Sequence, residues 1–150
     1  MTWTVWLFLT ATFSTIFCTA VNCYTYRLAY PLWRWVGPQD FGTLHKDYLR
    51  RLGPVITAPH VVMFFASGML LRWRPPFFTL TSAIALFTLD AGVVLISLLA
   101  AAPIHNRLER TGTLHDAGLR QLVSISAARS LMMLAASAIT LYSIASALAR

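Results

Sequence analysis

Long apolar stretches separated by short polar connections dominate this sequence. Four such stretches are visible, at about residues 3–26, 45–71, 77–102 and 120–148. A helix of about 20 residues crosses the roughly 30 Å hydrocarbon core of a bilayer, and each stretch reaches that length. The short alternating segments of a membrane β-barrel are absent. The pattern therefore predicts one all-α domain over residues 1–150, an integral membrane up-down-up-down four-helix bundle.

The connections contain the residues that usually interrupt helices. Pro31, Gly37-Pro38 and Gly42 predict a break between the first and second helices. Residues 72–76 predict a short turn between the second and third helices, and residues 105–118 predict a polar loop before the fourth. The aromatic residues near the first break, which suit a membrane–water interface, are Tyr30, Trp33 and Trp35.

The composition agrees with a membrane location and excludes one class of partner. Hydrophobic residues make up 57% of the chain and charged residues 11%, against about 25% charged residues in soluble domains. A net charge of +7 would suit nucleic acid in a soluble protein. Here the basic residues do not form a patch interleaved with exposed aromatic side chains, as single-strand binding requires. We therefore expect membrane lipid, and no nucleic acid, as a partner.

The basic residues are distributed unevenly between the two ends of the predicted bundle. Eight lie on the side of the first and third connections and three on the other side. The positive-inside rule then predicts a cytoplasmic basic side and both termini outside, in what we expect to be a bacterial inner membrane. No positive n-region precedes the first stretch, so we expect a retained first helix rather than a cleaved leader. The eight residues are Arg27, Arg34, Lys46, Arg50, Arg51, Arg107, Arg110 and Arg120.

Three ionisable residues lie inside the predicted spans, where a charge is costly and each is by default a functional hypothesis. At a rise of about 1.5 Å per residue, His60 and Asp90 lie roughly 20 Å and Arg129 roughly 16 Å from the basic side. We predict a buried site in which Asp90 pairs with Arg129 and orients His60. Asn22 lies at a slightly shallower level and is expected to join them. The alternatives are an ion pair that only sets helix register, or an unrelated placement.

A second group of polar residues lies at the basic edge of the predicted bundle. His45 and Tyr48 share a helix face at i, i+3, and His105 with Asn106 reaches the same membrane side at the end of the third span. Histidines at one depth are able to bind haem or a transition metal. None of them has the i, i+4 or Glu-x-x-His spacing of bundle metal sites. We therefore expect no metal and no cofactor, and keep haem or metal binding as the least favoured alternative.

Two further features concern packing. Pro54 and Pro59 each remove a backbone donor from the second helix, which predicts a bend and a pocket beside His60, or only a packing kink. The fourth span is rich in Ser and Ala, which favours close helix contacts within a compact bundle or with another subunit. Cys18 and Cys23 lie on different helix faces and are predicted to be small packing residues.

Several short motifs in the chain resemble one family. The motifs are Tyr30-Pro31-Leu32, Val36-Gly37-Pro38-Gln39-Asp40-Phe41, His45-Lys46-Asp47-Tyr48-Leu49-Arg50-Arg51 and Pro103-Ile104-His105-Asn106-Arg107-Leu108. Together with Arg129 they resemble the small four-helix membrane proteins related to anthrone oxygenases. The resemblance implies the same fold and a cofactor-independent oxidation of polycyclic aromatic anthrones. It carries function only onto the matching positions, which are His45, Tyr48, Arg51, His105, Asn106 and Arg129.

Two classes of function are consistent with these residues. The first is an oxygenase-like enzyme acting on an apolar aromatic or lipid-soluble substrate in an intramembrane pocket. The second is non-enzymatic, either an accessory or structural subunit of a membrane complex, or a small transporter assembled as a homo-oligomer. The candidate catalytic residues are His60, Asp90, Arg129, His45 and Tyr48. The candidate substrate-binding residues are Arg51, His105, Asn106 and Asn22.

Overall fold

The protein is an all-helical bundle, as seen in a computed structural model that describes residues 2–149. Its four long helices are α1 (Trp3–Trp35), α2 (Pro38–Leu70), α3 (Leu80–Thr111) and α4 (Asp116–Leu148). All four are long and apolar enough to cross a membrane. Within the described part of the chain there is no strand. The predicted fold class, an all-α membrane-spanning four-helix bundle, is therefore confirmed.

The helices are arranged in chain order around a square. Each helix packs against its neighbours in the sequence, and α4 packs against α1 to close the bundle. Large apolar side chains such as Phe13, Leu99 and Leu131 lie on the outside, with 69–75% of their surface exposed. Polar residues such as Asn22, Asp90 and Ser126 are fully buried. This distribution is the reverse of a soluble bundle and is what a lipid environment requires.

The buried apolar residues form three layers along the bundle axis. The end that contains the α2–α3 connection, here called the turn end, has a layer around Phe8, Phe78 and Leu86. The opposite end, here called the basic end, has a layer of mainly aromatic and leucine side chains. The middle layer consists of Cys18, Met63, Val93 and Met133. The basic-end layer is made of Tyr30, Trp33, Phe41, Leu108, Leu119 and Leu122.

Two prolines that commonly mark helix ends lie inside helices. Pro31 lies two residues after a π-helical turn at Thr25–Ala29, and Pro103 lies two residues after another at Ser97–Ala101. In each wider turn a backbone N–H bonds five residues back, from Tyr30 to the Thr25 carbonyl and from Ala102 to the Ser97 carbonyl. A proline has no N–H and its ring clashes with the carbonyl four residues back. Widening the turn relieves this clash, so the helix continues through the proline.

The observed helix boundaries consequently differ from the predicted ones. α1 continues to Trp35, and α2 begins at Pro38 with Gly37 as its N-cap, so Gly42 lies inside a helix. The predicted loop over residues 105–118 is wrong, because the helix containing Pro103 continues to Thr111. It ends at Gly112, whose φ of +63° places it in the left-handed region that favours glycine. Pro54 and Pro59 are both contained in α2.

Candidate functional site

A cavity of about 460 Å³ lies between α2 and α3 in the half of the bundle toward the basic end. Its outer rim is apolar and includes Val61, Phe65 and Leu98, which expose 47%, 62% and 62% of their surfaces. These residues belong to the outer, lipid-facing surface of the bundle, so the cavity opens sideways toward the bilayer. Its inner wall is polar and carries Tyr30, Tyr48, His60, His105 and Arg129, and the exposed Asn106 lines its rim.

The two π-helical turns help to build this inner wall. Thr25 in the first turn, and Ser97 and Ala101 in the second, line the cavity directly. A polar side chain of the wall follows each turn within a few residues. Tyr30 follows the first turn in α1, and His105 follows the second in α3. A π-helical turn adds a residue to the helix and rotates all later residues about the axis, and such turns are frequent at functional sites. The prolines that impose these turns thereby help to direct Tyr30 and His105 into the cavity.

A chain of three hydrogen-bonding side chains runs from the cavity wall into the basic-end layer. The Tyr30 hydroxyl lies 3.0 Å from His105 Nε2, and His105 Nδ1 lies 3.1 Å from His45 Nε2. The imidazoles of His45 and His105 are nearly coplanar and meet edge to edge, with ring centroids 5.4 Å apart. A neutral imidazole donates through one nitrogen and accepts through the other. The two hydrogen bonds therefore run in the same donor-to-acceptor direction along the chain. If each proton moves across to its acceptor, both hydrogen bonds run in the opposite direction.

Aromatic side chains hold the rings of this chain in place. Trp33 presents its edge to His45 at 5.5 Å and to Tyr48 at 5.1 Å between centroids. Phe41 lies nearly parallel to His45, with centroids 5.6 Å apart, and also contacts Trp33. His45 is fully buried, and its Nδ1 has no hydrogen-bond partner. The contacts with Trp33 and Phe41 leave the imidazole little freedom to rotate, so the His45–His105 bond is preorganised.

A second network centres on Asn22 and connects α1, α2 and α4. Arg129 donates from Nη2 to Asn22 Oδ1. The Asn22 amide nitrogen donates to the Cys18 carbonyl at 2.9 Å and lies 3.3 Å from His60 Nε2. A guanidinium only donates, and a backbone carbonyl only accepts. These two partners fix the orientation of the Asn22 amide, so its nitrogen must face His60.

The same network defines the tautomer of His60. Its Nε2 accepts from the Asn22 amide, so the proton of the neutral ring resides on Nδ1. Nδ1 then donates to the Ile56 carbonyl at 2.7 Å, and the Cys18 sulfur lies 3.5 Å from the same atom. Both ring nitrogens are thus engaged with protein groups. His60 is less available than His105 as a proton acceptor, because its partners are an amide N–H and a backbone carbonyl, which do not pass a proton on, whereas the partners of His105 are a hydroxyl and an imidazole.

Arg129 is a buried guanidinium that has no carboxylate partner. Only 7% of its surface is exposed, and it lines the cavity. Among residues 2–149, the ion pairs within 4.0 Å are those of Asp47 with Arg50 and Arg51 on the exposed basic edge. The Arg129 Nε has no hydrogen-bond partner either. An uncompensated charge in a low-dielectric site is costly, and it favours an anionic ligand in the cavity.

The predicted pair between Asp90 and Arg129 is wrong. Asp90 is fully buried, and neither of its carboxylate oxygens has a hydrogen-bond partner. Arg129 bonds instead to Asn22, and His60 is oriented by Asn22 and the Ile56 carbonyl. Asp90 is not among the residues that line the cavity. Similar depth along two helices did not bring the two charges together, because their side chains do not face one another.

Comparisons with known proteins found no match to this chain: no protein-family model, no curated protein and no solved structure is similar to it. The function is therefore argued from the cavity and the side chains that line it.

The structure gathers most of the predicted site residues around one cavity. His60, Tyr48, His105, Asn106 and Arg129 line it. Asn22 does not line the cavity but accepts a hydrogen bond from Arg129, and His45 is hydrogen-bonded to the cavity-lining His105. Arg51 lies away from the cavity, where its side chain is 75% exposed and contacts Asp47 at 3.5 Å. Within the described residues, no three His, Cys, Asp or Glu side chains are close enough to share a metal ion.

Two contributors are not identified from sequence. The sequence places Tyr30 in an interfacial aromatic belt, but it is 4% exposed and bonds to His105. It gives Cys18 a packing role, but the Cys18 carbonyl and sulfur both contact the Asn22–His60 pair. For Tyr30 a signal is present, because it directly precedes Pro31. No local pattern distinguishes Cys18 from an ordinary packing residue.

Proposed function

We propose that this protein is an enzyme that takes an apolar, weakly acidic substrate from the bilayer and oxidises it without a cofactor. One observation carries the proposal: a cavity open toward lipid contains a buried, unpaired guanidinium beside the Tyr30–His105–His45 chain. The cavity volume of about 460 Å³ lies within the roughly 300–1,000 Å³ usual for ligand pockets. A tricyclic aromatic molecule such as an anthrone is of suitable size and polarity.

Arg129 is the proposed electrostatic group. When a C–H or O–H of the substrate loses its proton, the negative charge collects on an oxygen, as in an enolate or phenolate. A guanidinium already fixed by Asn22 in a site of low dielectric constant stabilises that oxygen without needing to reorganise. Arg129 lines the cavity, so the part of its guanidinium that is not bonded to Asn22 is the donor for this contact.

The Tyr30–His105–His45 chain is the proposed proton acceptor. Tyr30 initially donates to His105 Nε2, and His105 donates from Nδ1 to His45 Nε2. As the Tyr30 oxygen takes the substrate proton, the Tyr30 proton moves to His105 and the His105 proton moves to His45. One proton is thereby transferred from the cavity to His45, which becomes an imidazolium, while Tyr30 and His105 stay neutral. The distances of 3.0 and 3.1 Å permit both transfers.

Molecular oxygen is the oxidant in the proposed reaction. The enolate of an anthrone reduces O₂, and the reacting methylene carbon becomes a carbonyl. That carbon loses two hydrogens and gains one oxygen atom, while the second oxygen atom leaves as water. The anthrone class is proposed because the resembling motifs include Tyr30, His45 and His105. The cavity itself supports the more general class of apolar substrates with one acidic oxygen.

Oxygen consumption by the purified protein in detergent or nanodiscs tests this proposal. With an anthrone as substrate, His105→Gln should lower the rate by about 10²-fold or more, as for loss of a general base. Arg129→Gln should cost a similar factor, as for loss of an oxyanion donor. Tyr30→Phe removes the first hydroxyl of the chain and should also slow the reaction. Arg50→Gln, an exposed change on the basic edge, is the control. Equal rates in all variants, or no rate above buffer, would refute the proposal.

We also propose that the basic end of the bundle is cytoplasmic, in a bacterial inner membrane. The unequal distribution of Lys and Arg between the two ends supports this orientation. A membrane-impermeant thiol reagent applied to intact cells should label Trp73→Cys in the α2–α3 connection and not Thr113→Cys in the α3–α4 connection. Both positions are exposed. The reverse labelling would show the opposite orientation.

A further inference from the structure

A second group of buried polar atoms lies beyond the cavity, toward the turn end of the bundle. The side chain of Asp90 in α3 is fully buried, and both of its oxygens lack a hydrogen-bond partner. The hydroxyls of Thr12 and Thr15 in α1 are also buried and unpartnered. Buried polar groups in proteins are nearly always hydrogen-bonded. Four such oxygen atoms in one part of a membrane bundle therefore need an explanation.

The two threonine hydroxyls differ from the other hydroxyls of α1. A buried Ser or Thr in a helix usually satisfies itself by donating to the carbonyl four residues earlier. Ser14, Thr19 and Thr25 do so, at 2.7–2.8 Å from those carbonyls. Thr12 and Thr15 make no such bond. Their oxygens are thus available to another group in the bundle interior.

The packing layers place Thr15 and Asp90 at one level, whereas Thr12 lies about one turn closer to the turn end and on the same face of α1 as Thr19, which contacts α4. Thr15 lies between Ala11 of the turn-end layer and Cys18 of the middle layer. Asp90 lies between Leu86 and Val93, which belong to the same two layers. α1 and α3 are diagonal members of the square, so buried side chains at one level face each other across its axis. Ser67 of α2 lies beside Asp90, but its hydroxyl donates to the Phe64 carbonyl at 3.2 Å.

We propose that Asp90 and Thr15 form a binding site for one monovalent cation, either Na⁺ or a proton. A carboxylate inside a membrane bundle must be neutralised, and no basic side chain in residues 2–149 lies within 4.0 Å of it. The donors are hard oxygen atoms, which suit an alkali or hydrogen cation rather than a soft transition metal. A single carboxylate matches one positive charge, whereas Ca²⁺ sites use more oxygen ligands and more carboxylates. The site is distinct from the cavity, and the proposal is independent of the proposed oxidation.

Thermal unfolding of the purified protein in detergent tests the site. The midpoint is measured in NaCl, KCl and choline chloride at equal ionic strength, each at two pH values. A cation that binds only the folded state raises the midpoint, by roughly 5 °C when it saturates the site in a chain of this size. If Na⁺ is the occupant, the rise is specific to NaCl and larger at the higher pH, where protons compete less. If the proton is the occupant, the midpoint responds to pH equally in all three salts.

Variants link the response to the proposed residues. Asp90→Asn should abolish it, and Asp47→Asn, at an exposed carboxylate, should leave it intact. Thr15→Val should weaken the response, and Ser14→Ala should not, because the Ser14 hydroxyl is already bonded to the Thr10 carbonyl. The proposal is overturned if Asp90→Asn responds to Na⁺ and pH as the unmodified protein does. A full response in Thr15→Val would equally overturn it.

Discussion

Replacing Asn22 by Leu tests whether this amide holds the interior of the bundle together. The two side chains are similar in size, so the change removes polar contacts with little change in packing volume. Asn22 accepts from Arg129, donates to the Cys18 carbonyl and donates to His60 Nε2. With Leu at this position, the guanidinium of Arg129 is left without its buried acceptor, and two further groups lose a partner.

The expected loss of stability is the sum over these three bonds. A hydrogen bond to a charged group contributes about 1.5–3 kcal/mol and a neutral one about 1 kcal/mol. Together they amount to about 4 kcal/mol. Side-chain hydrogen bonds inside a membrane protein have averaged only about 0.6 kcal/mol each, which sets a lower bound of about 2 kcal/mol. We therefore expect Asn22→Leu to reduce the free energy of unfolding by about 2–4 kcal/mol.

Reversible unfolding by a denaturing detergent in mixed micelles provides the measurement. The matched control is Thr19→Val, one turn away in α1, which removes the contact between the hydroxyls of Thr19 and Ser137 at 2.8 Å and the bond from Thr19 to the Thr15 carbonyl. The bond to Ser137 should cost about 1 kcal/mol, and a bond to the carbonyl four residues back adds little to helix stability. A loss for Asn22→Leu no larger than the loss for Thr19→Val would refute the inference that Arg129 depends on Asn22.

Two further predictions concern helix packing and access to the cavity. Gly42→Ala should destabilise the basic end by about 1 kcal/mol or more in the same assay, because the new Cβ would lie 3.3 Å from the backbone of Gly112. At Gly118 a new Cβ would have no neighbour within 4 Å, so Gly118→Ala should instead stabilise α4 by up to about 1 kcal/mol. If both substitutions change the free energy of unfolding in the same direction, this reasoning is wrong. Leu98→Trp should slow uptake of a lipid-dissolved fluorescent phenol, because Leu98 lies on the cavity rim. Leu95→Trp, at a lipid-facing position away from the rim, should leave uptake unchanged. Equal uptake by the two variants would exclude entry between α2 and α3.

The number and type of the helices could be predicted from the sequence because they depend on local properties. Apolar runs of sufficient length determine membrane spans whatever their neighbours are. The helix ends were less accessible, since Pro31 and Pro103 usually predict a break. At Pro31 and Pro103 the helix continues because the turn before each proline widens, at Thr25–Ala29 and Ser97–Ala101, whereas α2 contains Pro54 and Pro59 without such a turn. That choice is made by the surrounding packing.

The candidate site shows the same difference between what the sequence predicts and what the packing decides. From the sequence alone, the rise per residue placed His60, Asp90 and Arg129 at similar depths, and the motifs placed His45 and His105 at the basic end. Depth does not determine direction, because each residue turns a helix by about 100° and each π-helical turn shifts the faces of the residues after it. Only the packed bundle decided that Arg129 meets Asn22, that Tyr30 meets His105, and that Asp90 is excluded from the cavity lining.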